Sequence, residues 1–193
     1  VRTTLAAKGF GAKVVLTAKG HISGSDRIIE VVNPLDVKVV INIQADEPLI
    51  NPSVIDTLAR ALLDDPKVSM ATMMRKISNP HEIVDPNVVK VVVDKNNFAL
   101  YFSRAAIPLH APNSDVGMPV YYKHIGLYGY TKDFLFVCKN LPVSTLEKTE
   151  KLEQLRVLEE GYRIKVIETD YNSIGVDTPE DLEKVKEYLQ KKE

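Results

Sequence analysis

The spacing of apolar residues along the chain switches repeatedly between the period of a strand and that of a helix. Residues 39–43 form a short, mostly apolar run rich in β-branched side chains, which predicts a strand buried on both faces. The sequence turns polar directly afterwards and stops at Pro48. We expect the rest of the fold to be organised around this strand and its polar turn.

Six further segments have the composition or the alternation of strands. Residues 88–94 and 99–103 are separated by Lys95-Asn96-Asn97, which is typical of a hairpin turn. The other predicted strands are residues 12–16, 68–74, 120–130 and 163–168.

Helices are predicted where apolar residues recur three or four positions apart behind capping residues. Ser144 and Glu147 match a capping box and predict one helix that runs to Gly161. Thr178 is a good N-cap for a last helix, with Pro179 at its first position. Further helices are predicted at residues 1–9, 28–32 and 52–63, with one helical turn within 78–86.

Strands that alternate with helices predict an α/β fold with a sheet flanked by helices. No repeat, low-complexity tract or linker interrupts the pattern, so a single domain is expected over residues 1–193. Residues from about 85 to 130 hold several strands and are expected to form a β-rich excursion from the α/β body.

The composition is that of an ordinary globular protein, with 193 residues of which 45% are hydrophobic and 26% charged. A net charge of −1 argues against a general nucleic-acid binder, and no apolar run is long enough to span a bilayer. We therefore expect neither nucleic acid nor membrane as a partner. The single cysteine, Cys138, cannot form an internal disulfide, which fits a cytoplasmic location.

Acidic residues follow two strand ends. Asp46 and Glu47 come after the strand at 39–43, and Asp177 follows a second strand. Ligands of open α/β sheets bind beyond the carboxyl ends of strands, and two carboxylates that hold Mg²⁺ against substrate phosphates are common in nucleotidyl transfer. The alternatives are a solvated turn for Asp46 and Glu47, and an ordinary loop residue for Asp177.

Two other polar groups have both a functional and a structural interpretation. Ser23, Gly24 and Ser25 can offer backbone N–H groups and hydroxyls to a phosphate or a base, or simply cap the next helix. His124 and Tyr128 lie four residues apart, so both point to one face of a strand. They form either part of a site or a half-buried pair that packs side by side.

Lys90 interrupts a run of valines, and its ammonium group either reaches the strand edge or binds an anion. Residues 108–119 are a candidate substrate lid. Glu153 and Gln154 are polar residues of the predicted helix, and the solvated face of an amphipathic helix is the favoured interpretation of such residues. The chain has no Gly-x-Ser-x-Gly, Gly-x-Gly-x-x-Gly or P-loop motif and no metal-binding spacing of His or Cys.

Seven segments in a fixed order resemble the 3-deoxy-manno-octulosonate cytidylyltransferases, also called CMP-Kdo synthetases. Each segment is weakly specific, but together they extend over nearly the whole chain. They are Ser23-Gly24-Ser25-Asp26-Arg27, Asn42-Ile43-Gln44-Ala45-Asp46-Glu47-Pro48, Asn87-Val88-Val89-Lys90-Val91, Ala99-Leu100-Tyr101-Phe102-Ser103-Arg104, His124-Ile125-Gly126-Leu127-Tyr128, Leu152-Glu153-Gln154-Leu155-Arg156 and Gly175-Val176-Asp177-Thr178-Pro179-Glu180-Asp181.

This resemblance implies a nucleotide-diphosphosugar-transferase-like (Rossmann-like) α/β fold with a mixed sheet flanked by helices. It also implies a Mg²⁺-dependent transfer of CMP from CTP to 3-deoxy-D-manno-octulosonate (Kdo), which yields CMP-Kdo and pyrophosphate for lipopolysaccharide biosynthesis. A homodimer formed through the 85–130 excursion is expected on the same ground.

The resemblance also implies roles for individual residues. By position, Asp46 and Asp177 match the catalytic Mg²⁺ ligands. The residues that match the segment near the cytidine are Ser23, Gly24 and Ser25. The residues that match the surroundings of the sugar acid are Gln44, His124, Tyr128, Glu153 and Gln154, with Arg104 as a basic residue of the pocket.

Two departures from the family pattern limit these expectations. Ala45 stands where the family has glycine. The family's opening strand and basic phosphate-binding loop have no match, so the chain is expected to be a family member that lacks this first βα segment. Two other hypotheses follow, namely a cytidylyltransferase for another sugar acid, such as an amino-Kdo or a nonulosonate, and a catalytically silent fragment.

Overall fold

The computed structural model describes residues 2–21, 24–113, 115, 117–171, 175–176 and 178–190. Contacts divide the chain into two compact units, residues 1–37 and residues 38–193. The helices in the described residues are α1 (Arg2–Gly9), α2 (Gly24–Val32), α3 (Pro52–Asp64), α4 (His81–Val84), α5 (Lys132–Asn140), α6 (Thr145–Glu150), α7 (Gln154–Glu159) and α8 (Pro179–Gln190). The strands are β1 (Val39–Asn42), β2 (Met70–Lys76), β3 (Lys90–Val93), β4 (Ala99–Ser103), β5 (Tyr122–Thr131) and β6 (Lys165–Glu168).

The first unit contains α1 and α2, and the strand predicted at residues 12–16 is wrong. A strand is stable only when its backbone groups pair with a neighbour, and no described residue offers this segment a strand partner. The residues that follow it are held to α2 instead. The N–H of Ala18 donates to the carboxylate of Glu30 at 3.1 Å, and Arg27 donates to the hydroxyl of Thr17 at 3.0 Å.

The second unit is built on a mixed, mostly antiparallel sheet with β5 at its centre. β5 pairs antiparallel with β1, β2 and β3. β4 extends the sheet beyond β3, and β6 lies parallel to β2, which gives the order β4-β3-β5-β2-β6 with β1 on β5. The predicted mixed sheet flanked by helices is confirmed, and the β3–β4 hairpin of the 85–130 segment belongs to this same sheet.

Helices cover both faces of the sheet. Alternate residues of β2 enter two different cores because side chains of a strand alternate between faces. Met70 packs in one core with Leu155 of α7, whereas Ala71 packs in the other with Leu58 of α3. Strand β2 is therefore the strand that is buried on both faces.

β1 was predicted to be buried on both faces, and this prediction is wrong. All four of its residues are half-buried. The reason is its place in the sheet, since among the described strands β1 pairs only with β5. A run of β-branched residues indicates a strand but does not tell a central strand from an edge strand.

Most other predicted elements are confirmed. The hydroxyl of Thr178 accepts a hydrogen bond from the N–H of Asp181 at 3.2 Å, as expected for the N-cap of α8. Helix α5 was not predicted, although Thr131 caps it in the same way. The confirmed elements are α1, α2, α3, the single turn α4, β2, the β3–β4 hairpin, β5, β6 and α8.

The helix predicted from Ser144 to Gly161 is interrupted. Its capping box is present, but α6 ends at Glu150, and the next residue, Lys151, has the left-handed φ of 57°. The chain then restarts as α7. Tertiary contacts hold the break, because Glu147 of α6 forms a bidentate ion pair with Arg156 of α7, a geometry that an uninterrupted helix does not offer to residues nine apart.

Lys90 lies at the start of β3 and is completely buried. Its Nζ donates to the carbonyl oxygens of Asp85 at 2.7 Å, Val88 at 2.5 Å and Arg104 at 2.6 Å. Burial lowers the pKa of this amine. Both interpretations of Lys90 are therefore wrong, because the ammonium group neither reaches the strand edge nor has a donor left for an anion.

Substitution of Gly129 by alanine is expected to destabilise the sheet. A Cβ at this position would lie 2.7 Å from Cδ1 of Leu62 and 2.9 Å from Cδ1 of Ile41. Overpacking of this kind costs about 1–3 kcal/mol. The free energy of unfolding in urea measures the effect. Gly126→Ala, also in β5, is the control because its added methyl group would have open space within 4 Å; equal losses in both variants would contradict the prediction.

Lys90→Met is expected to lower the free energy of unfolding by about 3 kcal/mol or more, because each buried carbonyl left without a donor costs about 1–3 kcal/mol. Urea denaturation again measures the loss. Lys95→Met in the exposed hairpin turn is the matched control. A Lys90→Met protein as stable as this control would refute a structural role for the ammonium group.

Candidate functional site

The acidic turn behind β1 is exposed and is held by the backbone. The side chain of Asp46 is exposed, and its carbonyl oxygen accepts a hydrogen bond from the N–H of Val176 at 2.9 Å. The N–H of Glu47 donates to the carbonyl of Gln44 at 3.3 Å. The segment that ends at Val176 is therefore fixed directly beside the turn that presents the Asp46 carboxylate.

Several of the predicted site residues cannot be placed. Asp177 and Ser23 lie outside the described residues, as does the side chain of Ser25. Gly24 begins α2 in the first unit. Within the described part of the chain, no three carboxylate, histidine or cysteine side chains are grouped closely enough to hold a metal ion. Asp46 is thus the described member of the predicted Mg²⁺ pair, and an exposed carboxylate suits that hard cation.

Tyr171 is influenced by the charge of Glu47 and was not singled out from the sequence. It contacts the core that contains Leu58, and its phenol oxygen is buried without a hydrogen-bond partner. Burial, and then the negative charge of Glu47, raise the pKa of Tyr171 to about 12. The phenol therefore stays protonated near the turn and retains a donor.

His124 and Tyr128 lie side by side on β5, as predicted. Their ring centroids are 5.3 Å apart, and the His124 ring meets Phe102 edge-on at 5.0 Å. The pairing of β5 with its neighbours places Tyr128 opposite Asn42 of β1 and opposite Thr72 of β2. The aromatic pair therefore lies at the strand end from which the chain continues to the acidic turn.

Both side chains of this pair are uncharged at neutral pH. Burial lowers the pKa of His124 to about 3, so its imidazole is neutral. Burial also raises the pKa of Tyr128 well above its ordinary value, with a smaller contribution from the carboxylate of Glu153. The same carboxylate contributes to the raised pKa of Tyr130, which stacks on Tyr128 at 6.2 Å.

Glu153 and Gln154 follow the break between α6 and α7. Glu153 is exposed, and its negative charge contributes to the raised pKa of Tyr128. Gln154 is only 6% exposed, and its Nε2 is buried without a partner. An unpaired buried amide is costly, and a bound ligand with a free acceptor would remove this cost.

Arg104 is tied down by carbonyl groups. Its Nε donates to the carbonyl of Glu150 at 2.8 Å, and Nη1 donates to that of Pro86 at 2.9 Å. The carboxylate of Glu150 in turn accepts from the hydroxyl of Ser103 at 2.6 Å and from the N–H of Arg104 at 2.9 Å. These bonds join the end of β4 to the end of α6, next to the break that precedes Glu153.

Sequence reasoning missed the polar groups that support the site. Thr72 is completely buried in β2 and bonds the imidazole of His124 at 2.8 Å. A single hydroxyl inside an apolar strand was the available signal. Gln44, in contrast, was predicted in the site and has an exposed side chain behind β1.

The described groups form a set suited to a polar, uncharged surface of a ligand. A neutral imidazole, two phenols, an amide with a free donor and a carboxylate can accept and donate several hydrogen bonds. The neighbouring acidic turn suits a cation or a cation-bound phosphate.

No helix among the described residues is long and apolar enough to cross a membrane.

Comparison with known proteins gives consistent relatives. Residues 2–166 match the sequence model of a family described as cytidylyltransferase. The 3-deoxy-manno-octulosonate cytidylyltransferase of Solibacter usitatus is 53% identical over 184 residues, which are 95% of this chain and 72% of that protein. The protein of the same name from Geotalea uraniireducens is 47% identical and aligns with 98% of this chain and 79% of its own length.

Solved structures agree with these relatives. The structure of CMP:2-keto-3-deoxy-manno-octonic acid synthetase complexed with CTP superposes with a TM-score of 0.90 and 38% identity, over 100% of this chain and 78% of that one. This likeness confirms the predicted fold class. A 4-diphosphocytidyl-2C-methyl-D-erythritol synthase from Anaerococcus prevotii, at 15% identity and a TM-score of 0.61, shares the fold alone.

The imidazole of His124 is expected to make the free energy of unfolding fall in acid. His124 has a pKa of about 3 in the folded chain and an ordinary value near 6.5 when unfolded. Between these values only the unfolded state binds the proton, so the free energy of unfolding decreases as the pH falls from about 6.5 towards 3. The contribution of this residue approaches about 1.4 kcal/mol per pH unit.

Urea denaturation between pH 7 and pH 4 measures this dependence. The His124→Gln variant should lose stability less steeply than the wild-type protein. His81→Gln is the control, because His81 is exposed on α4. Parallel curves for the wild type and His124→Gln would show that the pKa of the imidazole is not lowered in the folded chain.

Proposed function

The chain belongs to the 3-deoxy-manno-octulosonate cytidylyltransferase family, and from this premise we propose that it transfers CMP from CTP to Kdo and releases pyrophosphate. The observation that carries the proposal is the pair of His124 and Tyr128 at the strand end that leads to Asp46. The charge of Glu153 acts on Tyr128, and Gln154 adds a buried amide without a partner. A set of mostly uncharged donors and acceptors next to an acidic turn suits a polyhydroxylated acid and a nucleotide.

The sugar acid would lie against the aromatic pair and the end of α7. The free amide of Gln154 would donate to a sugar oxygen, and the carboxylate of Glu153 would accept from a hydroxyl group. These contacts would hold the anomeric hydroxyl in line with the α-phosphorus of CTP. The new P–O bond then forms as the bond to the β-phosphate oxygen breaks, the hydroxyl proton is released to solvent, and pyrophosphate leaves.

Asp46 and Asp177 would hold Mg²⁺. When bound, this cation neutralises phosphate charge during nucleotidyl transfer. The backbone bond from Val176 to the carbonyl of Asp46 supports the pairing, because it ties the residue before Asp177 to the residue that carries the first carboxylate. The segment Ser23-Gly24-Ser25 would lie near the cytidine, and Arg104 and Gln44 would border the sugar site, on the resemblance of their motifs.

We also propose a cytoplasmic homodimer that serves lipopolysaccharide biosynthesis. The exposed apolar side chains of Leu100, Leu109 and Met118 support an interface in the 85–130 segment. The raised pKa of Cys138, about 12 through burial, leaves an unreactive thiol and is compatible with a reducing compartment.

Pyrophosphate release in the presence of CTP, Kdo and Mg²⁺ tests the proposed reaction. Asp46→Asn should lower kcat about 100-fold, because a group that stabilises phosphate charge in the transition state is lost. Asp56→Asn, exposed on α3, is the matched control. Gln154→Leu should raise the KM for Kdo and leave the KM for CTP nearly unchanged.

Two outcomes would contradict this proposal. A folded chain that releases no pyrophosphate would confine the activity to longer relatives and favour the silent-fragment hypothesis. A panel of sugar acids covers specificity, since a higher kcat/KM for an amino-Kdo or a nonulosonate than for Kdo would replace the proposed substrate.

A further inference from the structure

The hydroxyl group of Thr72 has a single proton but three hydrogen-bonding partners. Thr72 is completely buried at the centre of β2. Its Oγ1 lies 2.8 Å from the carbonyl oxygen of Leu127, 3.2 Å from that of Ile125 and 2.8 Å from Nε2 of His124. All three partners are on β5.

These distances determine which group donates. A hydroxyl has one proton, and a carbonyl oxygen can only accept. If the proton of Thr72 pointed to His124, the carbonyl of Leu127 would face a lone pair at 2.8 Å. The proton must therefore point to the carbonyls, and the hydroxyl oxygen accepts a hydrogen bond from Nε2–H of His124.

The remaining nitrogen of the ring is then an acceptor. The imidazole is neutral, because burial lowers the pKa of His124 to about 3. With the proton on Nε2, Nδ1 carries a lone pair. Within the described residues, the hydrogen bond found for this ring is the one at Nε2, and the residue is half-buried beside Tyr128.

A β-bulge makes this arrangement possible. The register between β2 and β5 shifts between Thr72 and Met73, so that Thr72 lies opposite Tyr128 and Met73 opposite Ile125. The extra residues of β5 bring two carbonyls of that strand towards one hydroxyl. Bulges commonly change the direction of side chains next to active sites. Here the carbonyls of the bulge and the imidazole of His124 all bond to the hydroxyl of Thr72.

We propose that Thr72 is a positioning residue that fixes the Nε2–H tautomer of His124, so that Nδ1 accepts a hydrogen bond from a hydroxyl group of the sugar acid. The identity of this ligand rests on the proposed function. The lone pair of Nδ1 accepts a hydrogen bond from a hydroxyl group. It cannot bond to an ionised carboxylate, because that group has no proton to donate. His124 therefore binds a hydroxyl group of the ligand.

The tautomer can be measured without any substrate. Long-range ¹H–¹⁵N spectra of the ¹⁵N-labelled chain distinguish protonated from unprotonated ring nitrogens, and the His124 signals are those lost in His124→Gln. We expect a protonated Nε2 and an unprotonated Nδ1 at neutral pH. A protonated Nδ1 would overturn the proposal whatever the chain catalyses.

Kdo binding tests whether Nδ1 of His124 accepts a hydrogen bond from the sugar acid. Added Kdo should shift the Nδ1 resonance of the wild-type chain. Thr72→Val should raise the KM for Kdo about tenfold, while kcat and the KM for CTP change little. Thr72→Ser keeps the hydroxyl and should restore both the tautomer and the KM. A Kdo-saturated chain with an unchanged Nδ1 signal would overturn the role in binding, even if Thr72→Val does not fold.

These readouts separate the inference from the proposed reaction. Absence of pyrophosphate release together with the Nε2–H tautomer and a Kdo-dependent Nδ1 shift would refute the reaction and support the role of Thr72. Normal turnover with an unchanged KM for Kdo in folded Thr72→Val would refute the role of Thr72 alone.

Discussion

The buried ammonium group of Lys90 is the interaction on which the site depends. It donates to the carbonyls of Asp85, Val88 and Arg104, and thereby joins the loop before β3 to the end of β4. Burying a charge is costly unless hydrogen bonds replace its hydration, and three short bonds to carbonyl oxygens do so here. The end of β4 is held in one position as a result.

The end of β4 in turn holds the end of α6. Ser103 and Arg104 at the end of β4 bind both the carboxylate and the carbonyl of Glu150, and α6 ends there. Lys151 then turns through a left-handed conformation, which lets α7 begin at Gln154 with its amide buried. The polar contacts from Lys90 to Glu150 therefore account for where α7 begins.

β5 supplies the other half of the arrangement. It is bonded to three strands, and its bulge opposite Thr72 places His124 and Tyr128 side by side. Close packing requires glycine at position 129, where a methyl group would meet Leu62 and Ile41. Thus the aromatic pair is set by the backbone of the central strand, whereas Glu153 and Gln154 are set by contacts between side chains and carbonyls.

Most local elements and the family can be recognised from the sequence alone. Alternation, capping residues and turn signals depend on neighbours within a few positions, so β2, β5, α3 and α8 were predicted correctly, and the ordered motifs identified the relatives. Features that depend on partners distant in the chain could not be predicted in this way, because folding brings those partners together. The segment at 12–16 lacked a strand partner among the described residues, β1 had one neighbour in place of two, and Lys90 found carbonyls 5 and 14 residues away. The break at Lys151 and the tautomer of His124 have the same origin, because each is set by a hydrogen bond to a residue remote in the chain.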